Sequence, residues 1–241
     1  MNQSSLSYPS REAGFSLIEV LTVVSVIFIL AGFSIFYLAG HQKAYKPDDE
    51  SLIITDILQE ARQRSLTQRR TMRVEINLSN NTIRLIDENT NPATADDDIV
   101  LKNVSLYNPS DVTVGGSPGN IGYNPPEPLP DPTAVFKPSV YPSSIAQNVC
   151  TLRFRSDGTV VDAGNSPTGT GAVMTGATIA VWAPNKATPT NSDIARAITV
   201  IGSTGTIRLW EFDPNLAPTN KWKDSRRYGT YGGAATPTPT P

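Results

Sequence analysis

The stretch at residues 14–30, "GFSLIEVLTVVSVIFIL", holds one charge, Glu19, inside an apolar run that continues to Ala39. Residues 15–39 as a helix would reach about 37 Å at roughly 1.5 Å per residue, more than the roughly 30 Å hydrocarbon core of a bilayer. The run is therefore long enough to span a membrane. A secretory signal would have several bases before a shorter apolar segment and a small-residue cleavage site after it. Here Arg11 is the only base in residues 1–14, and Ala39-Gly40-His41 makes a poor cleavage site. That single base places the leader weakly on the cytoplasmic side. An acid at the bilayer centre costs on the order of 2.5–3.5 kcal/mol, and less near the edge, where Glu19 sits. On a helix it shares a face with Phe15, one turn earlier, and it complements the positive helix terminus. By physics alone it is either a snorkelling interfacial glutamate or an acid with a task.

Outside this run the composition is ordinary: 241 residues, 39% hydrophobic, net charge -2. That balance suggests neither disorder throughout nor a general nucleic-acid-binding field. One cysteine, Cys150, excludes an intrachain disulfide framework and any CxxC site, and one histidine, His41, narrows acid-base and metal chemistry. No Ser-His-Asp or Cys-His arrangement can be assembled, so no catalytic residue, cofactor or metal centre is expected. Cys150 reads as a small apolar strand residue and His41 as a polar residue beside the membrane.

Residues 40–70 continue as an amphipathic helix with Ile54, Ile57, Leu58, Ala61 and Ser65 on one face. Pro47 predicts a kink or short break, with Asp48 or Asp49 capping the resumed helix. The basic end, Arg62, Arg64, Arg69 and Arg70 beside Glu60, is either a solvated terminus or a binding face. From Thr71 the period becomes two: Met72, Val74, Ile76 and Leu78, a turn at Asn80-Asn81, then Ile83 and Leu85, which is a hairpin. Further strands are predicted at 99–107, 149–154, 159–162, 177–182, 197–201 and 206–212, with turns at Ser156-Asp157-Gly158 and Ser203-Thr204-Gly205. The fold class is α+β: a long N-terminal transmembrane and amphipathic helix packed by its outer half on an antiparallel sheet.

Gly14-Phe15-Ser16-Leu17-Ile18-Glu19 followed by about twenty apolar residues resembles the cleavage and methylation motif of type IV pilins and pseudopilins. The stretches "ILQEARQRSLTQRRTMRVEI", "LRFRSDGTVV" and "ITVIGSTGTIRLW" are similar to the body of the GspH/FimT minor pseudopilins. The resemblance implies a pilin-like fold and a prepilin peptidase that cuts between Gly14 and Phe15, after which Phe15 is N-methylated. It implies that Glu19 pairs with the terminal amine of a neighbouring subunit during assembly. Its partners would be other pilins or pseudopilins and an inner-membrane assembly platform. The location would be a bacterial inner membrane with the body in the periplasm, then a pseudopilus or surface pilus. The layout is then a leader (1–14), a membrane half-helix (15–39), an amphipathic half-helix (40–70), a β-rich body (71–230) and a tail (231–241). A Pro-rich insertion (108–146) with nine prolines and the "ATPTPTP" tail depart from a compact family member. The insertion is either a partner-binding arm or a mobile loop, and the tail should be extended.

Some family members bind DNA for natural transformation through Gly-Arg-x-Arg. Here Gly205-Thr206-Ile207-Arg208 lacks the first arginine. A second cluster follows, Trp210, Lys221, Trp222, Lys223, Arg226, Arg227 and Tyr228, in which rings could stack on bases. Its alternative is a charged C-terminal segment whose tryptophans pack on the sheet. Asp87-Glu88 and Asp96-Asp97-Asp98 flank a loop that is either solvated or a calcium site of no EF-hand spacing.

Overall fold

A computed structural model describes residues 15–88, 98–116, 121, 127, 129, 135–184, 195–213 and 221–225, with backbone only at 35–44. The chain divides into two compact units, Met1–Gln42 and Lys43–Pro241.

One helix, α1 (Leu17–Gln68), begins in the first unit and ends in the second. In the first, Leu17–Ser34 has mean hydropathy 2.4 and no buried residue. Its hydroxyls are satisfied within the helix, which a bilayer requires: Thr22 donates to the Glu19 carbonyl at 2.8 Å, Ser25 to Leu21 at 2.8 Å and Ser34 to Leu30 at 2.9 Å.

In the second unit, Ile54, Ile57, Leu58, Ala61 and Ser65 are buried, as the 3.6-residue period predicts. Of the kink or short break expected at Pro47, the break does not occur: the proline lies inside α1 and is buried. The two acids expected to cap a new helix have other partners. Asp48 accepts from Arg196 at 2.5 Å and Asp49 from the Tyr107 hydroxyl at 2.8 Å. Glu50, Ser51 and Ile54 pack immediately beyond the proline. Tertiary contacts hold the turn and override the local preference against proline.

The strands form two antiparallel sheets where one was expected. The first contains β1 (Met72–Asn77), β2 (Thr82–Asp87), β3 (Ile99–Ser105), β5 (Phe136–Pro138), β6 (Asn148–Phe154) and β7 (Val160–Val161), in the order β3-β2-β1-β6-β5 with β7 also on β6. The second contains β4 (Thr113–Gly115), β8 (Gly176–Trp182), β9 (Ala195–Ile201), β10 (Thr206–Phe212) and β11 (Trp222–Asp224), in the order β11-β10-β9-β8-β4. The β1–β2 turn places Asn81 at φ 52°, a left-handed conformation that asparagine tolerates. Gly205, at φ 60°, closes the β9–β10 turn by donating to the Ile201 carbonyl at 2.8 Å.

Met72, Val74 and Ile76 of β1, Leu152 and Phe154 of β6, Ile198 and Val200 of β9, and the buried face of α1 all belong to one core. A smaller cluster on the other face of the second sheet contains Ile121, Ala197, Trp210, Phe212 and Trp222. The Pro-rich insertion, expected to lack residues for burial, contributes Val112, Val135, Phe136 and Tyr141 to the interior and supplies β4 and β5. Its residues 117–120, 122–126, 128 and 130–134 lie outside the described residues, as does the tail.

Candidate functional site

At the membrane end, the N–H groups of Glu19 and Val20 both donate to the Ser16 carbonyl, at 3.0 and 3.1 Å, so the helix starts immediately after Ser16. Glu19 lies in the first turn and is exposed, and Phe15 is 82% exposed. Among the described residues no cation forms an ion pair with Glu19. Gly14 and the rest of the leader lie outside them. This arrangement can present an acid, on the face of Phe15, to a cation supplied from outside the chain.

In the C-terminal cluster Trp210 and Trp222 pack on the second sheet, as one of its two sequence readings has it. Arg208 forms an ion pair with Glu127, a residue of the Pro-rich insertion. Glu127 also accepts from the Thr199 hydroxyl at 2.9 Å, and that hydroxyl accepts from the Trp210 indole at 2.9 Å. Lys223 lies 3.5 Å from Glu211 and 3.4 Å from Asp213. Trp222 is buried edge-on against Phe212, with ring centroids 5.2 Å apart. Trp210 and Trp222 are each 5% exposed, which leaves little ring surface for the alternative of base stacking. Lys221 is half-buried, while Arg226, Arg227 and Tyr228 lie outside the described residues. The basic end of α1 is likewise engaged: Arg62 reaches the Thr204 carbonyl at 3.2 Å, Arg64 lies 2.8 Å from Glu60 and Arg70 lies 3.3 Å from Asp87.

Of the acidic loop, residues 89–97 lie outside the described residues. Asp87, Glu88 and Asp98 turn to arginines, and Asp96 and Asp97 lie outside the described residues. Among the described residues no cluster of His, Cys, Asp or Glu could hold a metal. Cys150 is buried, and burial pushes its thiol up to about 12, far from a nucleophile's range. The side chain of His41 is outside the described residues.

The acids belong to a network on the non-core face of the first sheet that the sequence reading missed. The Arg73 guanidinium donates to Glu75 at 2.9 Å, Glu88 at 3.2 Å and Asp98 at 2.6 Å, and stacks 3.6 Å from the Tyr141 ring centroid. Arg153 grips Glu88 with two bonds of 2.7 Å. Glu75 also takes Arg84 at 2.6 Å and the Ser144 hydroxyl at 3.1 Å. Arg73 and Glu75 are 1% and 0% exposed. Burial alone would lower the Arg73 pKa, but Glu75, Asp98 and Glu88 outweigh it and hold the group above its ordinary value. The available signal was the charge pattern: Arg73, Glu75, Arg84 and Arg153 all fall on the strand phase opposite the apolar one. That phase reads equally well as a solvated face.

A second missed group is Glu50. One carboxylate oxygen accepts the Tyr107 N–H at 2.8 Å, while Oε1 is buried without a partner. Burial pushes this carboxyl up to about 7; the Tyr107 bond opposes that rise and the neighbouring Asp49 adds to it.

No curated protein and no solved structure matches the chain. A family model described as the prokaryotic N-terminal methylation motif matches residues 9–35. That match, over the apolar helix that starts after Ser16, supports a type IV pilin-like, membrane-anchored chain.

Proposed function

We propose that the chain is a minor pilin or pseudopilin, a structural subunit whose work is protein-protein assembly. The observation that carries this reading is the exposed Glu19, one turn after Phe15, at the start of an apolar helix inside the methylation motif. Prepilin peptidase cuts between Gly14 and Phe15, and the new amine of Phe15 is methylated. The anchor stays in the product. In the inner membrane the body faces the periplasm. The assembly platform then moves the subunit into a pseudopilus or pilus, where Glu19 meets the Phe15 amine of a neighbouring pilin. Two poorly solvated opposite charges attract strongly, and either one left alone is costly, so the pair sets axial register. The similarity of the body to GspH/FimT pseudopilins supports a minor subunit.

Mass analysis of the mature N-terminus, in cells with and without prepilin peptidase, tests the reading. The expected product begins at methylated Phe15 only where the peptidase is present. An intact leader in both would end it. Replacing Gly14 should block processing, whereas Glu19→Ala should leave insertion intact and deplete the chain from sheared filaments. Normal incorporation of Glu19→Ala would contradict the charge pairing.

A further inference from the structure

Glu50 of α1, the β1–β2 turn and residues 106–114 line a cavity of about 220 Å³. Leu78, Leu106, Pro109, Val112 and Val114 give it apolar walls. Among the described lining residues none is a cation. Glu50 is 1% exposed, and of its two carboxylate oxygens one accepts the Tyr107 N–H at 2.8 Å while Oε1 is buried without a partner. A buried acceptor left without a donor is costly, and more so when it is charged. The charges around Tyr107 do not supply that donor. Lys46 lies 5.4 Å from the Tyr107 ring centroid and is drawn 2.8 Å from Asp111, and Asp49 accepts the Tyr107 hydroxyl at 2.8 Å. With Asp49, Glu50 and Asp111 set against Lys46, acids outnumber the base here.

Size and chemistry narrow what such a cavity takes. An apolar cavity of about 150 Å³ holds benzene, and sites for drug-sized ligands start at about 300 Å³. The occupant is therefore a small molecule or a single side chain. The walls suit an apolar stem, and the carboxyl suits a donor at its tip. A divalent metal asks for several oxygen ligands, and Glu50 is the one carboxylate among the described lining residues. A guanidinium pairs best through two parallel bonds to both carboxylate oxygens, and the Tyr107 N–H already holds one of them. A compact ammonium needs only the other. Burial pushes the Glu50 carboxyl up to about 7, so the cost of ionising it is what a cation would relieve. The terminal torsion of a glutamate is broad, so a small rotation turns Oε1 toward the cavity that the side chain already lines.

We propose that this cavity binds a primary ammonium on an unbranched alkyl stem, with the head paired to Glu50 and the stem against Leu78, Leu106, Val112 and Val114. Free alkylamines and the lysine side chain of another protein share this chemistry. The proposal does not depend on the pilin reading. The test follows the methyl NMR signals of those four residues in the full chain in detergent micelles. The chain is titrated at pH 8 with n-butylammonium and with n-butanol, its uncharged counterpart of equal length. The ammonium should bind at least about tenfold more tightly than the alcohol. Glu50→Gln should bind the two alike, and its shifts with the alcohol show that the cavity is intact. In wild type the ammonium should bind at least about tenfold more weakly at pH 5.5 than at pH 8, because a proton must then leave Glu50. Asp49, Lys46, Asp111 and Tyr107 are present in both proteins, so Glu50→Gln should lose this dependence. Absence of shifts at the four residues, equal binding of ammonium and alcohol by wild type, or a preference or pH dependence that survives in Glu50→Gln would overturn the proposal. A lysine blocked at both backbone ends, Nα-acetyl-lysine-N-methylamide, separates the two sources. Binding as tight as that of n-butylammonium assigns the cavity to a protein lysine, and weaker binding assigns it to a free alkylamine.

Discussion

Glu50 makes the stability of the body depend on pH, with a sign opposite to that of a salt-bridged acid. Its carboxyl is 1% exposed, has one unpartnered oxygen and is raised from 4.5 to about 7 by burial. Below about pH 4.5 the folded and unfolded chains both hold the proton, and the group contributes nothing. Between 4.5 and 7 the folded chain keeps a proton that the unfolded chain has released. Stability therefore falls as pH rises through this window, and above about 7 the full cost of the buried charge remains. At 1.36 kcal/mol per unit, a shift of this size costs about 3 kcal/mol. Glu50→Gln removes the charge and keeps an oxygen for the Tyr107 N–H, but it places amide donors where Oε1 has no partner, at about 1–3 kcal/mol. That second cost is the same at every pH, so the slope isolates the first. Thermal unfolding of the full chain in micelles, followed by circular dichroism at pH 5 and pH 8, should show wild type losing about 2.5 kcal/mol more than the variant, since part of the cost is already present at pH 5. For a body of roughly 200 residues this corresponds to about 5–10 °C in the difference of Tm changes. Asp49, Lys46, Asp111, Tyr107 and His41 are present in both proteins, so their titration cancels to first order. Parallel pH curves would refute the assignment of a buried, charge-averse carboxyl to Glu50.

Arg73→Ala leaves Glu75, Glu88 and Asp98 without their shared cation and should cost about 3–5 kcal/mol in urea unfolding, whereas Arg208→Ala, at a half-exposed pair with Glu127, should cost less than about 1 kcal/mol. Equal effects would show that the Arg73 network carries no special load. At Gly202 an added Cβ would collide with the Met174 carbonyl oxygen, and the Gly202 carbonyl accepts the Val160 N–H at 2.7 Å. Gly202→Ala should therefore destabilise the body by about 1–3 kcal/mol and speed exchange at Val160; unchanged exchange there would mean the turn yields without cost.

The readable parts of the chain are those where one face is apolar and the other polar. The Phe15 run, the α1 face through Ile54, Ile57, Leu58 and Ala61, and the Met72/Val74/Ile76 alternation each report a single partner, and the elements lie where those patterns put them. Division into two sheets was not legible, because which strands pair depends on contacts distant in sequence: β1 pairs with β6 across an intervening stretch that contains four other strands. Pro47 misled for a related reason. A local rule predicted a kink or break with Asp48 or Asp49 as cap, while both acids are held by Arg196 and Tyr107 from remote elements. At the membrane end the acid and the apolar run were both legible, since they need only helical spacing. The C-terminal cluster was not: cations alternating with tryptophans look the same whether the rings face solvent or, as Trp210 and Trp222 do, the sheet.

The buried charges on the first sheet have a consequence for specificity that their energy alone would not suggest. Replacing such a network by apolar side chains of similar size is often neutral or stabilising, so its stability contribution is no reason for it to be ionic. Apolar residues at Arg73, Glu75 and Arg153 would, however, make the two faces of β1 and β6 alike. A one-residue slip in register exchanges those faces, and between like faces little would oppose it. With the network in place the slip would carry Arg73 and Glu75 into the core beside Leu58 and Leu85, at the cost of unpaired buried charge. The same groups also select what covers the face. Glu75 opposes Arg84 directly across β1–β2 and takes Ser144 of the insertion, while Arg153 donates to the Gly169 carbonyl at 2.7 Å and Tyr141 lies over Arg73. The ion pairs thus oppose a register slip and fix Ser144 and Tyr141 over the sheet, beside the strand pairing and apolar burial that hold the rest of the insertion.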